Sequence, residues 1–415
     1  MNFKDHTVLV YDSSGLFVSL AEVLARSFGE VGYFRPWQDG FSDGRELLVG
    51  SGLEGVERVK YFWPTVEQWD LFVFPDCWDG DTQEYLRSIG KRVWGAGLGS
   101  DLELSRWKTR QRYPELGLPV NPATQVLGIE NLRAYLKENE NKYVKVSTFR
   151  GIGETWHHKN YAQSKGQIDE LQAKHGPLAD ILGFIVEDEI PDAREVGYDG
   201  YSISGRYPAV AVIGVEEKDK AYFGRSIAYE DLPPTVRKVN DALAPALAEH
   251  GYRQFLSTEI REKDGTGNLI DITARHASPG GEVYVEMFVN LPEILWFGAE
   301  NKLVDAQIDE GYGAQIILCS EWAEEHFEAV QFPAELRPYV KLYNHCVVNG
   351  IDYTIPQLAR MKQVGSVVAL GKTPQAAVEL CKERAEQISG YDLEAEADAL
   401  DEAMAEMMQP MAEAA

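Results

Sequence analysis

The chain has 415 residues, room for about two to four domains, and its 44% hydrophobic and 26% charged residues are those of an ordinary globular protein. Forty Lys+Arg against 66 Asp+Glu give a net charge of −26, which argues against nonspecific binding to nucleic acid or to an anionic membrane, since both need a basic footprint. No window approaches the ~18 apolar residues of a membrane span, no cleavage site follows the first apolar run, and Cys77, Cys319, Cys346 and Cys381 lack CxxC spacing; the expectation is a cytoplasmic protein with reduced thiols.

Along the first hundred residues, short apolar runs alternate with helical patterns. His6–Tyr11 reads as a strand ending in Asp12-Ser13-Ser14-Gly15, with a helix over Leu16–Phe28. Asp70–Phe74 and Arg92–Trp94 are further strands, separated by a helix near Thr82–Ile89. This alternation predicts βαβ units and a parallel sheet, with ligands near the turns at Asp12–Gly15 and Pro75–Asp79. A second region opens at Glu103 with a predicted helix, Leu104–Leu116, bearing three arginines and a lysine. Strands follow at Lys142–Val146 and Phe184–Val186, the latter running into Glu187-Asp188-Glu189. Gln254–Arg261 and Asn268–Thr273 flank an Asp-Gly turn and read as a hairpin. From Pro333 to Tyr391 a third region carries a strand at Val364–Leu370 and a helix from Thr373 to Ile388, started by Pro374. The stretch 392–415 holds eight acidic residues and no basic one, and reads as a solvated helix or a disordered tail.

Two constellations carry chemistry. In the hairpin, period-2 alternation places Ser257, Glu259 and Arg261 on one face of the first strand, and Asp271, Thr273 and Arg275 on one face of the second. Glu259 and Asp271 then stand almost opposite each other, a repulsion that persists where the pair is exposed or a cation sits between them. Two carboxylates and the Thr273 hydroxyl suit Mg²⁺, a hard cation that fills its shell with water and phosphate. Arg275 would reach a transferring phosphate. In the second constellation, Lys145 on a strand leads into Phe149-Arg150-Gly151-Ile152-Gly153, whose spare backbone N–H groups suit phosphate. The loop is neither a Walker loop nor a dinucleotide fingerprint, which weakens a nicotinamide-dependent oxidoreductase. The adjacent His157 and His158 point apart on a strand and lack a third metal ligand. His276 reads as a substrate or supporting contact, and Ser278 as a hydroxyl without a neighbouring base.

In this order the motifs resemble the ATP-grasp superfamily, most closely phosphoribosylglycinamide synthetase and its relatives. The helix Glu103–Arg110 before Gly-Leu-Pro-Val resembles the family's helix preceding the first ATP-binding subdomain, where the basic residue at the position of Arg106 contacts phosphate. Lys145 stands at the second phosphate-binding lysine, and the stretch with Gly151 and Gly153 at the mobile glycine-rich loop. The segment Phe-Ile-Val-Glu187-Asp-Glu189-Ile190 resembles the hinge strand that holds adenine, and Glu195 the acid that binds ribose. Glu259, Asp271 and Thr273 fall on the metal-binding acid, acid and asparagine, with threonine replacing asparagine, and Arg275 on an arginine beside the reacting phosphate. The resemblance implies an α/β (α+β) ATP-grasp fold divided into a pre-ATP-grasp βαβ domain (1–102), an ATP-grasp domain of two subdomains hinged near 187–190 (103–332), a small carboxyl-terminal domain (333–391) and the acidic tail (392–415). It further implies ATP and Mg²⁺ (or Mn²⁺) as cofactors, small-molecule carboxylate and amine substrates, and a ligase in which Arg275 and Lys145 act on an acyl phosphate. A noncatalytic nucleotide-binding module of the same fold is the alternative. The sequence leaves the oligomeric state open.

Overall fold

The computed structural model describes residues 1–36, 48–147, 155–357 and 361–409. By contact the chain divides into unit 1 (1–100, 197–258 and 273 onward) and unit 2 (101–196 and 259–272).

Unit 1 begins with β1 (Thr7–Tyr11), α1 (Val18–Ala25), β2 (Glu30–Phe34), β3 (Val56–Arg58), β4 (Leu71–Val73), α2 (Gly80–Ser88) and β5 (Arg92–Trp94). The strands form a parallel sheet, as the alternation of apolar runs and helices predicts; its order is β3-β2-β1-β4-β5, with β2 and β3 additional to the predicted strands. At its carboxyl edge the buried Asp12 carboxylate accepts the backbone N–H groups of Ser14, Gly15 and Phe17, and the Tyr33 hydroxyl. Gly15 sits at φ +80° with the Asn344 side chain where a Cβ would lie, so only glycine fits this turn. Ser13 donates to Asp79, tying together the two turns that the sequence marks as the ligand edge.

Unit 2 starts with two short helices, α3 (Asp101–Leu104) and α4 (Arg106–Gln111), where the sequence predicts one helix to Leu116. Pro114 disfavours helical backbone at Tyr113 and ends the run early. Then come β6 (Ala123–Leu127), α5 (Ile129–Glu138), β7 (Lys142–Val146), β8 (Thr155–His158), α6 (Tyr161–His175) and β9 (Gly183–Asp188). The antiparallel sheet runs β6-β9-β7-β8. Val144, Val146, Phe184 and Val186 face Ile129, Leu132, Leu136, Ile168 and Leu171 of the two helices in one core. Strand alternation therefore turns Tyr143, Lys145, Ile185 and Glu187 to the opposite face.

A long, mostly antiparallel sheet follows, built from β10 (Arg194–Ile203), β11 (Val210–Glu217), β12 (Ala221–Ala228), β13 (Arg253–Lys263) and β14 (Thr266–Thr273), with α7 (Pro234–Glu249) between β12 and β13. The boundaries of the units fall within β10, β13 and β14. The Asp264-Gly265 turn joining β13 and β14 has φ of 50° and 72°, the left-handed pair that a two-residue hairpin needs. After α8 (Gly281–Met287) and α9 (Leu291–Ala299) come β15 (Tyr312–Ser320), β16 (Glu328–Val330), β17 (Val340–Leu342), β18 (His345–Val348), β19 (Ile351–Thr354) and β20 (Gln363–Gly371). The sheet order is β14-β13-β10-β11-β12-β15-β20-β17, and β16-β19-β18 form a separate small sheet. Thr373 caps α10 (Pro374–Ala385) by accepting from the Ala376 N–H, the start that the Thr-Pro pair predicts.

The acidic segment is not a solvated appendage as far as Gln409. β21 (Leu393–Ala395) pairs with β15, and α11 (Ala399–Met407) packs on β11 and β12 through Leu400, Ala403 and Met407. Charge count hid an i, i+3, i+7 apolar stripe that is wide enough to cover a sheet. Among the described residues no helix is long and apolar enough to cross a membrane, and all four cysteines are unpaired.

Candidate nucleotide and metal site

In unit 2, α4, β7, β9 and the end of the β13–β14 hairpin bring charged side chains into one cleft. Arg106 and Arg110 are four residues apart and share a face of α4. Arg110 Nη1 lies 2.8 Å from Glu187 Oε1 with both side chains nearly inaccessible, and its other arm donates to the Asn121 carbonyl. Lys145 Nζ donates to the Ile270 carbonyl at 2.8 Å and stands 3.6 Å from Glu187 Oε2. Arg106 Nη2 meets Asp271 Oδ2 at 3.1 Å, and its Nη1 donates to the Val146 carbonyl at 3.2 Å. Asp271 Oδ1 accepts the Ile272 N–H at 3.0 Å.

Four of the sequence-selected residues, Arg106, Lys145, Glu187 and Asp271, thus converge. Lys145, which the sequence places on a strand leading into the glycine-bearing segment, is only 4% exposed. It lies beneath the hairpin because β7 alternation turns it inward on the face that Ile270 covers. The Glu187 carboxylate is spent on Arg110 and Lys145, so only its backbone is left for a further partner on the hinge strand. Arg110, at the centre of this charge cluster, is marked in the sequence only by its i+4 spacing from Arg106.

The remaining unit 2 residues lie around this core. Glu189 stands 3.7 Å from His157, whose ring stacks on Tyr143 at 4.6 Å, while Ile190 is half-buried beyond β9. His158 points the other way, bonded to Ser164 and the Leu136 carbonyl, so the two histidines do not share a ligand. Glu195 pairs with Arg261 at 2.5 Å, and Arg261 also reaches Glu259 at 3.6 Å. Gly151 and Gly153 lie outside the described residues.

Burial, then the charges of Glu195 and Asp271, push Glu259 up to about 7, against the opposing pull of Lys145 and Arg261. The two hairpin carboxylates therefore repel each other, as the sequence anticipates, and such a pair suits a hard divalent cation that needs a few oxygens and takes the rest from phosphate and water. Among the described residues no group of three or more His, Cys, Asp or Glu side chains stands ready to hold a metal alone. The sign of the pH dependence follows. A carboxyl raised on folding binds its proton more tightly in the folded state, so its contribution is most favourable below about 4.5 and is lost as pH rises toward about 7. Metal-free wild type should lose stability over this window, and Glu259→Gln should flatten the loss. Equal pH profiles of the melting temperature in EDTA would show that Glu259 titrates normally.

Thr273 and Arg275 belong to unit 1. Thr273 ends β14, and Arg275 Nη1 donates to the His276 carbonyl at 3.1 Å. His276 is buried against Phe17, Phe255 and Tyr284, and desolvation lowers its pKa to about 3. It is a neutral packing residue, which corrects its reading as a substrate contact. Ser278 is also not isolated from acids. Its hydroxyl lies 3.2 Å from Glu282 Oε1 and 2.9 Å from the Tyr343 hydroxyl, in a buried network that Gln315 extends. The signal was an i+4 carboxylate across the start of α8.

A four-stranded sheet backed by two helices, a long antiparallel sheet carrying the Glu259–Asp271 hairpin, and an amino-terminal parallel sheet make up the ATP-grasp fold. The chain is similar to phosphoribosylamine–glycine ligase from Thermotoga maritima, with a TM-score of 0.68 and 16% identity over 93% of this chain and 98% of that one. Biotin carboxylase from Campylobacter jejuni superposes with a TM-score of 0.64 and 14% identity over 96% and 95% of the two chains. N5-carboxyaminoimidazole ribonucleotide synthetase from Thermotoga maritima gives 0.57 and 12% over 93% and 99%. Identities this low establish the fold. No protein-family model and no curated protein sequence matches the chain.

Proposed function

We propose that the chain is an ATP- and Mg²⁺-dependent carboxylate–amine ligase that works through an acyl phosphate, of the phosphoribosylglycinamide synthetase type. The observation that carries this reading is the convergence of Arg106, Lys145 and Asp271 beside Glu259 in one cleft of unit 2. Its fold is also that of solved proteins described as a phosphoribosylamine–glycine ligase and as a 2-oxoglutarate carboxylase domain in complex with MgADP and bicarbonate. In this reading Lys145 and Arg106 neutralise charge on the nucleotide phosphates, backbone groups of Glu187–Ile190 hold adenine, and Glu195 binds ribose. Glu259 and Asp271, with Thr273, would hold Mg²⁺, which supplies further charge neutralisation when bound. Arg275 stabilises the tetrahedral intermediate.

Each amine, hydroxyl and carboxylate among these side chains is assigned to phosphate, ribose or metal, so the activated group should reside on the substrate carboxylate. With a carboxylate that supports turnover, hydroxylamine should trap a hydroxamate while ADP and phosphate appear in equal amounts. AMP and pyrophosphate would instead indicate an adenylate and sink the mechanism. Tight Mg-ATP binding without turnover on any carboxylate would favour a noncatalytic module of the same fold.

A further inference from the structure

Arg106 and Asp271 belong to opposite halves of the proposed chemistry, one assigned to phosphate and the other to a divalent cation. Here they are bonded to each other, at 3.1 Å, with side chains only 10% and 24% exposed. Both carboxylate oxygens of Asp271 are engaged, Oδ2 by the guanidinium and Oδ1 by the Ile272 N–H at 3.0 Å. The guanidinium is itself anchored, since Nη1 donates to the Val146 carbonyl at 3.2 Å, next to the strand position of Lys145. The neighbouring cation is engaged in the same way, with Lys145 on the Ile270 carbonyl at 2.8 Å and on Glu187 at 3.6 Å. The cleft neutralises itself.

We infer that the Arg106–Asp271 ion pair is a latch that imposes a binding order, excluding a divalent cation from Asp271 until a nucleotide phosphate draws Arg106 away. The inference rests on the proposed function only in assigning Asp271 to the metal and Arg106 to phosphate. Two electrostatic facts drive it. A guanidinium within hydrogen-bond distance occupies a lone pair that the cation needs, and it repels the cation besides. A phosphate offers Arg106 a doubly charged partner of matching fork geometry, so transfer from carboxylate to phosphate is favourable. Once Arg106 has moved, Asp271 is left without its guanidinium beside Glu259, whose own partner is Arg261 at 3.6 Å, and a divalent cation would be favoured at the two carboxylates. Nucleotide and metal then bind with positive cooperativity, and each must raise the affinity of the other by the same factor. The device would also keep the metal-free, nucleotide-free cleft from collecting stray divalent ions.

The test uses Mn²⁺ as probe, with free Mn²⁺ followed by electron paramagnetic resonance and ADP as the nucleotide. Wild type should bind Mn²⁺ weakly alone and much more tightly with ADP. R106Q should bind Mn²⁺ alone roughly tenfold more tightly than wild type or better, and ADP should raise that affinity by a smaller factor than it does in wild type. Asp271→Asn placed on R106Q should abolish that gain, assigning it to this carboxylate. R106K keeps the charge but cannot span both Val146 and Asp271, so it should give a smaller increase in the same direction, and it serves if R106Q does not fold. Equal Mn²⁺ affinity of wild type and both Arg106 variants without nucleotide overturns the latch, as does wild-type Mn²⁺ binding that ADP leaves unchanged. If ADP binds to none of the proteins, the nucleotide reading fails, while the comparison with Mn²⁺ alone still decides whether Arg106 blocks the metal.

Discussion

Replacing Arg110 with methionine is expected to destabilise unit 2 by about 3 kcal/mol, the lower end of what breaking a buried ion pair costs. Methionine keeps the length and apolar volume of the arginine stem but leaves Glu187, 4% exposed, with Lys145 at 3.6 Å as its nearest cation. The loss should come mainly from the uncompensated carboxylate and not from lost attraction. Adding Glu187→Gln should therefore restore most of the stability, because an amide costs far less to bury than a charge. Chemical denaturation gives the size of the effect, and hydrogen exchange in β7 and β9 locates it. A single variant within a few tenths of a kcal/mol of wild type would mean that the pair is solvated in solution.

For Asp271→Asn the expected result is the reverse, a protein that folds and cannot work. Asparagine keeps one acceptor, and the relieved repulsion on Glu259 partly offsets the weakened Arg106 pair, so metal-free stability should fall by no more than about 1 kcal/mol. The lost charge removes a metal ligand, and Mg²⁺-dependent ADP release should fall by at least about 100-fold, since even residues that only support ligands cost 10- to 100-fold. A variant that unfolds while its folded fraction keeps normal metal dependence would mark the hairpin as scaffold alone.

The strands β1, β4, β5, β7, β9, β13, β14 and β20 could be read from the sequence because each is a short apolar run bounded by turn residues; others, among them β2, β10, β11, β12 and β15, could not, and only the amino-terminal parallel sheet and the hairpin had a readable sense. Val144 and Val146 announce β7, and Asp264-Gly265 announces the hairpin. Arg106, Lys145, Glu259 and Asp271 were found through spacing, order and resemblance to a family. What spacing cannot give is which charge meets which. The bond from Arg106 to Asp271 spans 165 residues and that from Arg110 to Glu187 spans 77. Nothing local encodes either. The burial of Lys145 was hidden for the same reason, because its cover, Ile270, lies 125 residues downstream. Other differences are encoded locally, in Pro114 within the expected helix, Glu282 four residues after Ser278, and the apolar stripe of α11.

The way unit 2 is assembled from two separated pieces of chain bears on its biogenesis. Residues 101–196 contain the whole β6-β9-β7-β8 sheet and its two backing helices, so this layer can form while the ribosome is still making the rest. The hairpin tip, residues 259–272, emerges only after 62 intervening residues, 197–258, that belong to unit 1. At ~5–20 residues per second, the 82 residues from Asp188, the end of β9, to Ile270 take about 4–16 s to synthesise. Throughout that interval the nascent layer displays Arg106, Arg110 and Lys145 with Glu187 as their only counter-charge among the described residues of the cleft, a transiently basic surface on an otherwise acidic protein. The cleft becomes electrically quiet only when the hairpin closes over it.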